Sequence, residues 1–298
     1  EALRLANFRS AAAVATLSSS VTLLLVVADV FSSEPHFRNL GIDPGPYNVI
    51  SGVLGLLLSF RTGQAYNRFW SGANAVYDVT GGLYMAASNL VAFAYYGNTN
   101  SWEEIEVFKQ TTVRLISVLS AMMLADLEGN DPALRTNFEV LDVGSLQSTL
   151  VKSLLNEANK TEVVIQWLKT FIIENMSSGM LSVPPPILSR VFQELDVSMG
   201  WYHSADKFGE VPFPFPYVAT LDLIMIIHTV VTIVVMMSFF SVNRFLPVPT
   251  VFIIVFFLWS IHLVAGELEN PFNGDMNDLD LFGLQCELNE KLKATCTV

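Results

Sequence analysis

Two arginines, Arg61 and Arg68, follow an apolar run without an intervening turn signal. Residues 54–60 are compatible with a membrane, and the chain then becomes polar and aromatic as far as Trp70. Guanidinium groups are costly against lipid, so a helix that carries two of them is expected to face water or a protein-lined cavity. This pattern is typical of a pore-lining helix.

A row of residues at a spacing of four runs through the same stretch. Positions i and i+4 fall on nearly the same face of a helix. The row has polar ends and a small, apolar middle, and it consists of Asn48, Gly52, Leu56, Phe60 and Gln64. It predicts either a pore-lining face or a helix–helix packing face, since small residues are common at helix contacts in membranes.

An acidic segment near the C-terminus has the ligand chemistry of a calcium site. Residues 267–280 contain no basic residue, and their carboxylates are Glu267, Glu269, Asp275, Asp278 and Asp280. Oxygen ligands at alternate spacing suit Ca²⁺. The alternative is structural: Asn270, Asp275 and Asp278 would cap helices and tie the segment to a neighbouring subunit.

His228 and His262 each lie inside an apolar span, which raises the possibility of a bis-histidine haem or metal site in a membrane redox protein. The alternative is a hydrogen bond from each histidine to a neighbouring helix. Cys286 and Cys296 fit no metal motif and make no disulfide framework. The sequence contains none of the common nucleophile, zinc-protease or phosphate-loop motifs, so we expect no enzyme activity.

Composition favours a membrane protein. Apolar residues make up 52% of the 298 residues and charged residues only 15%, against roughly 25% charged in soluble domains. The net charge of −12 argues against nucleic acid as a partner and against a polybasic membrane-surface protein.

The hydropathy pattern predicts an all-α membrane protein with four principal transmembrane helices. A membrane helix needs about 20 apolar residues, and the candidates are residues 11–31, 47–80, 221–240 and 248–264. The second would begin as a short span, continue past Trp70 and meet its first interruption at Gly81 and Gly82. The intervening region, about 101–210, is predicted to be extramembrane, with amphipathic helices at 103–124, 144–156, 160–176 and 186–200. A C-terminal acidic segment, 266–298, completes a single domain.

Four separated stretches give the chain a family resemblance. FRTGQAYNRFW (60–70) and GELENPFNGDMNDLDL (266–281) resemble conserved patterns of the bestrophin anion channels. SVPPPILSRVFQEL (182–195) and VPFPFPYV (211–218) are most similar to the plant and algal thylakoid branch, the voltage-dependent chloride channels. The resemblance covers most of the chain in the family's order.

The resemblance implies a homopentamer around one central pore. Positions matching Gly52, Leu56 and Phe60 would line a hydrophobic neck, with Asn48, Arg61 and Gln64 at the pore mouth. An aperture would lie at Val183 through Ile187, with Pro186 or Ile187 as the narrowest point. In animal bestrophins the acidic segment is a calcium clasp. Here Gly274 and Met276 replace needed acids, which leaves Asp275, Asn277 and Asp278 as candidate ligands.

The expected function is passive chloride conduction that tunes the potential of a thylakoid membrane. Chloride would be the permeant ion, no resident cofactor is expected apart from a possible Ca²⁺, and the partners would be further copies of the chain, the bilayer and small anions. The alternatives are a bicarbonate channel of an algal carbon-concentrating system, a membrane redox protein that uses the two histidines, and a non-conducting scaffold.

Overall fold

Helices are the only regular elements in the part of the chain that the structure describes. The computed structural model describes residues 5–32, 37, 40–96, 101–129, 136–142, 144, 154, 157, 159–240, 242–274 and 278–297. The helices are α1 (Ala6–Phe31), α2 (Pro44–Ala94), α3 (Trp102–Glu128), α4 (Lys160–Ser177), α5 (Pro185–Glu210), α6 (Phe215–Phe239), α7 (Pro247–Glu267) and α8 (Leu281–Cys296). The all-α prediction is confirmed.

The chain divides into two compact units. Unit 1 comprises Glu1–Phe69 and Pro212–Glu269, and unit 2 comprises Trp70–Val211 and Asn270–Val298. Helix α2 contributes its first half to unit 1 and its second half to unit 2. The predicted helix at 144–156 falls almost wholly outside the described residues.

Unit 1 contains the most apolar helices. Helix α1 packs along α7 and also touches α6, and α6 pairs with α7. One apolar cluster joins α1 to these two helices through Ala15, Ile233, Val251 and Val255. Prolines at the first or second positions of α6 and α7 start both helices, where the missing amide hydrogen costs no hydrogen bond.

Among the described residues, four helices are long and apolar enough to cross a membrane: α1, α3, α6 and α7. Helices α1, α6 and α7 match predicted spans, and 28–33% of their apolar windows is buried inside the protein. In α3 that share is 72%. Helix α3 therefore serves as the core helix of unit 2, although its composition alone also fits a membrane.

Helix α2 is longer than the sequence predicted. It runs for 51 residues without the expected interruption at Gly81 and Gly82. A glycine inside a helix costs only about 1 kcal/mol, which the burial of Val79 and Leu83 offsets. A side chain at Gly82 would collide with the hydroxyl of Ser198 on α5, so the glycine permits close helix packing.

Unit 2 is built around α3, which contacts α4, α5 and α8. Its N-terminus carries a complete capping box: Glu104 N donates to Ser101 Oγ, and Ser101 N donates to the Glu104 carboxylate. Helix α8 is capped by Asp280, whose carboxylate accepts from Gly283 N at 2.8 Å. The cap of this helix is thus Asp280, two residues after the predicted Asp278.

A buried polar network joins α3 to α8 inside unit 2. Ser120 Oγ donates to Gln285 Oε1 and Ser117 Oγ donates to Asn289 Oδ1, both at 2.7 Å. The amide nitrogens of Gln285 and Asn289 both donate to the backbone carbonyl of Glu139, at 3.0 and 2.8 Å. These groups are buried and mutually satisfied, so they fix the register of the two helices.

We predict that Gln285→Leu lowers the free energy of unfolding by about 2–3 kcal/mol, because it leaves the Ser120 hydroxyl without its acceptor inside the core. The matched control is Gln110→Leu on the exposed face of α3, which should change stability by no more than about 0.5 kcal/mol. Chemical unfolding in detergent measures both. If Gln285→Leu and Gln110→Leu change the free energy of unfolding equally, the network has no structural role.

Candidate functional site

The predicted row lies on one uncovered face of α2. Asn48, Gly52, Leu56, Phe60 and Gln64 are all exposed in the single chain. Leu56 is 71% exposed and Phe60 is 52% exposed, so both large apolar side chains lack cover within the single chain. The structure therefore brings the predicted neck residues and two of the three predicted mouth residues together on one surface.

The opposite face of α2 is buried within unit 1. Leu54 and Leu58 are at most 2% exposed and pack on Leu221 and Met225 of α6. One helical turn further on, Arg61 continues this buried stripe and is only 4% exposed. Spacings of four and three residues keep these positions on one side of a helix. The structure thus separates Arg61 from Phe60, although the two residues are adjacent in sequence.

Arg61 is held by an ion pair inside unit 1. Its Nε and Nη2 donate to Glu269 Oε1 at 3.2 and 3.0 Å, and its Nη1 lies 3.0 Å from His262 Nδ1. The side chain of Glu269 is 20% exposed. Arg61 was predicted to stand at the pore mouth with the row. The structure places it on the other face because a charge in this environment requires a partner.

The contacts of His262 define its tautomer. An arginine nitrogen can only donate, so His262 Nδ1 must accept the hydrogen bond from Arg61. The ring proton then resides on Nε2, which lies 2.7 Å from Asp222 Oδ1 near the start of α6. A continuous chain results: the half-exposed Asp222 carboxylate, a neutral histidine, a buried guanidinium and the Glu269 carboxylate.

The two arginines of the first motif bind the same residue of the second motif. Arg61 pairs with the carboxylate of Glu269, and Arg68 Nε donates to the backbone carbonyl of Glu269 at 3.1 Å. Arg61 and Arg68 are seven residues apart and so share one face of α2. Arg61, Arg68 and Glu269 are therefore parts of one site within unit 1, although 208 residues separate Arg61 from Glu269.

Within unit 2, α2 also contacts the segment that follows α7. A side chain at Gly72 would lie 2.8 Å from Pro271 and 3.1 Å from Phe272, which is 1% exposed. Glycine is required here because the segment after α7 lies directly against the helix.

The ring of Tyr217 on α6 packs against Phe60. Its ring centroid lies 5.8 Å from that of Tyr217, which in turn lies 5.5 Å from Phe213 in an edge-on arrangement. The Tyr217 hydroxyl donates to the carbonyl of Leu57 at 2.9 Å. Tyr217 thus covers part of the Phe60 side chain, which remains about half exposed.

His228 lies deeper in the same unit and serves a helix contact. Its Nε2 is 2.8 Å from Ser51 Oγ, and its Nδ1 is 3.3 Å from Thr232 Oγ1. The Tyr47 ring stacks on it at 5.2 Å, and the Tyr47 hydroxyl reaches Thr232 at 3.1 Å. Both nitrogens of His228 and both of His262 therefore have hydrogen-bond partners, which disfavours the bis-histidine cofactor interpretation.

The aperture and calcium predictions remain predictions. Pro186 and Ile187 are exposed in the first turn of α5, and Val183 is half-buried just before it. Asp275 and Asn277 lie outside the described residues, and Asp278 lies within them. Among the described residues, no group of three or more histidine, cysteine or carboxylate side chains could hold a metal ion.

Unit 2 contains mutually repelling acids. Asp126 accepts from Thr161 Oγ1 at 2.6 Å and from the Tyr202 hydroxyl at 3.1 Å. Burial, reinforced by the charges of Glu210 and Asp126, raises the pKa of the Asp206 carboxyl above its ordinary range. A group with a raised folded-state pKa stabilises the fold at low pH, and this stability is lost as pH rises through that pKa. Part of the chain's negative charge is therefore concentrated in unit 2.

Sequence reasoning did not find the partners of Arg61. The sequence indicates His262 as a possible cofactor ligand and Glu269 as one carboxylate of a calcium-like segment. The signal was present, because Arg61 lies seven residues after Leu54 and three after Leu58, on the apolar side of the helix. A charge on a buried face predicts a partner of opposite charge.

Comparison with known proteins identifies relatives along nearly the whole chain. The family described as Bacterial/Fungal Bestrophin protein matches residues 5–294. A voltage-dependent anion channel-forming protein of Synechocystis sp. is 24% identical over 237 residues, 78% of this chain and 71% of the relative. A protein of the same description from Nostoc sp. is 26% identical over 234 residues, 77% of this chain and 70% of the relative.

Solved structures share the fold. A bacterial bestrophin homolog from Klebsiella pneumoniae superposes with a TM-score of 0.76 at 17% identity, over 94% of this chain and 98% of that one. Another solved membrane protein gives a TM-score of 0.79 at 17% identity, over 99% of this chain and all of the other.

We predict that Glu269→Gln lowers the free energy of unfolding by about 2–4 kcal/mol, because it leaves the Arg61 guanidinium buried without a counter-charge. The matched control is Glu287→Gln, since Glu287 pairs with Lys291 on the surface, and it should cost no more than about 0.5 kcal/mol. The double variant Arg61→Leu/Glu269→Leu should recover most of the loss. If Glu269→Gln and Glu287→Gln lower the free energy of unfolding equally, the ion pair has no structural role.

Proposed function

The chain belongs to the bestrophin family, in the group described as Bacterial/Fungal Bestrophin protein, and from this premise we propose that it is a membrane channel that conducts anions passively. The sequence-based identification of the family is confirmed. Two relatives named as anion channel-forming proteins support this function and support a channel rather than an enzyme. Three highly apolar helices in unit 1 support an integral membrane location.

The observation that carries the proposal is the uncovered row on α2. Its members are exposed while the buried face of the same helix is satisfied by contacts within unit 1. One copy of such a face encloses nothing, whereas closed cyclic symmetry brings several copies around one axis. We take the number of copies to be five, as the family resemblance implies, with Gly52, Leu56 and Phe60 as the neck.

An apolar neck passes anions through the polarity of its aromatic rings. The edge of a phenyl ring is positive and its face is negative, so five Phe60 edges favour an anion without holding it tightly. An apolar constriction also gates by dewetting. The guanidinium of Arg61 is neutralised by Glu269, so its charge adds little to the neck. This mechanism therefore assigns selectivity to Phe60 and its supporting ring, Tyr217.

The proposed location is a thylakoid membrane, where the channel would dissipate electrical potential as protons accumulate. Support comes from the two relatives, both of which are cyanobacterial proteins, and from the stretches at 182–195 and 211–218. Chloride is the proposed permeant ion. Because Gly274 and Met276 replace acids of a calcium clasp, we propose that conduction does not depend on Ca²⁺.

We predict that the purified chain in a planar bilayer under a KCl gradient gives a current that reverses near the chloride equilibrium potential. The aromatic neck favours anions, and removal of Ca²⁺ should leave the current unchanged. Replacement of chloride by bicarbonate on one side then measures the relative permeability of these anions. A reversal near the potassium potential would contradict the proposal, as would the absence of current from protein shown to be inserted.

We predict that Phe60→Ala changes single-channel conductance or rectification by at least about threefold, because it removes the ring edges from the neck. The matched control is Phe257→Ala on α7, where the phenyl ring is 59% exposed, comparable to Phe60 at 52%. The control should conduct as the parent does. If Phe60→Ala and Phe257→Ala conduct alike, Phe60 does not line the neck. The unfolding temperature of each variant shows whether it is folded.

A further inference from the structure

The hydrogen bond between Arg61 and His262 exists in only one protonation state of the histidine. Arg61 Nη1 lies 3.0 Å from His262 Nδ1, and the guanidinium has no lone pair to offer. Nδ1 must therefore be unprotonated. An imidazolium carries a proton on both nitrogens, so protonation would set two donors and two positive charges against each other at this distance.

Three charged groups face the buried ring of His262. The groups that face His262 are Arg61 from α2, Asp222 from α6 and Glu269 from the segment after α7. Asp222 Oδ1 lies 2.7 Å from His262 Nε2, and its half-exposed side chain connects the site to solvent. Helix α1 also packs along α7, and its Asn7 donates to Glu267. Burial and the charge of Arg61 oppose the imidazolium, and the two acids favour it.

Arg61 is the anchor of the helix that carries the neck. Phe60 directly precedes Arg61 in α2. Because the helical backbone is rigid, Phe60 points outward when Arg61 points into unit 1. Loss of the bond to His262 leaves the guanidinium attached through Nε and Nη2 to one oxygen of Glu269. The rotational restraint on α2 at Phe60 is then weaker.

We propose that His262 is a positioning residue for the neck: neutral His262 accepts a hydrogen bond from Arg61 and fixes the orientation of Phe60, and its protonation releases Arg61 and reduces conduction. This inference rests on the proposed channel function and names a regulation of the same site. The ligand of the switch is a proton that enters through Asp222. His262 acts through Arg61 and does not touch the permeant ion.

The test must distinguish the effect of His262 from that of two other described histidines, His228 and His203. His228 also contacts α2, through Ser51, but its partners are hydroxyl groups, which can donate or accept and so tolerate either form of the ring. His203 is exposed on α5 in unit 2. Among the histidines that the structure describes, His262 is the one whose partner can only donate.

The test is the pH profile of anion current in planar bilayers, with the pH changed equally on both sides. Between about pH 8 and pH 5.5, the range in which histidines titrate, the current of the parent protein should fall about fivefold, the effect of one lost hydrogen bond. In His262→Asn the side-chain oxygen replaces Nδ1 as the acceptor and does not titrate. Its current should change less than about 1.5-fold over the same range.

The matched control is His203→Asn, which should keep the pH profile of the parent. Asp222→Asn should move the midpoint of the profile to lower pH, because an amide stabilises the imidazolium less than a carboxylate does. A parent current that does not vary with pH would overturn the proposal. So would a profile that survives in His262→Asn, which would point to His228.

A second measurement does not depend on current. Nitrogen NMR of histidine-labelled protein in detergent, with His262→Asn used to assign the signal, reports which ring nitrogen is protonated. At neutral pH we expect the proton on Nε2, and in Arg61→Leu a mixture of both tautomers. A proton on Nδ1 overturns the inference. If no variant conducts but the tautomer is as expected, the proposed channel function fails and the assignment of His262 stands.

Discussion

The ion pair between Arg61 and Glu269 is the constraint on which the arrangement of unit 1 depends. A guanidinium inside a membrane protein requires a counter-charge, and α2 is oriented so that Arg61 meets His262 of α7 and Glu269 just after it. That rotation also buries Leu54 and Leu58 and leaves Phe60 uncovered. The identity of the exposed face of α2 is therefore determined by the charged group on its opposite side.

The polar groups within unit 1 follow one rule. His228 is surrounded by hydroxyl groups of Ser51 and Thr232, whereas His262 is placed between a carboxylate and a guanidinium. The first arrangement contains no charged partner, and its hydroxyl oxygens can accept from the ring nitrogens. The second is polarised and permits one tautomer. Two buried histidines on paired helices thus have opposite electrostatic settings, and only one of these settings involves the charged anchor of α2.

The sequence predicted the family and the all-α class, because the first depends on motifs and the second on local spacing. It did not predict the direction of Arg61, since a motif records which residues occur together and not which side of a helix meets a neighbour. It also ended α2 at Gly81, where local propensity suggested a break, because the packing of Gly82 against Ser198 is a tertiary contact. The errors arise where distant segments decide the outcome.

The separation of Arg61 and Glu269 has a consequence for how the protein is made. Glu269 follows Arg61 by 208 residues, so at about 5–20 residues per second the counter-charge is synthesised about 10–40 s after the arginine. During that interval α2 is less apolar than the other unit 1 helices and carries an unneutralised cation. The buried side of α2 at Arg61 therefore reaches its final contacts only after α7 and the segment that follows it have been synthesised.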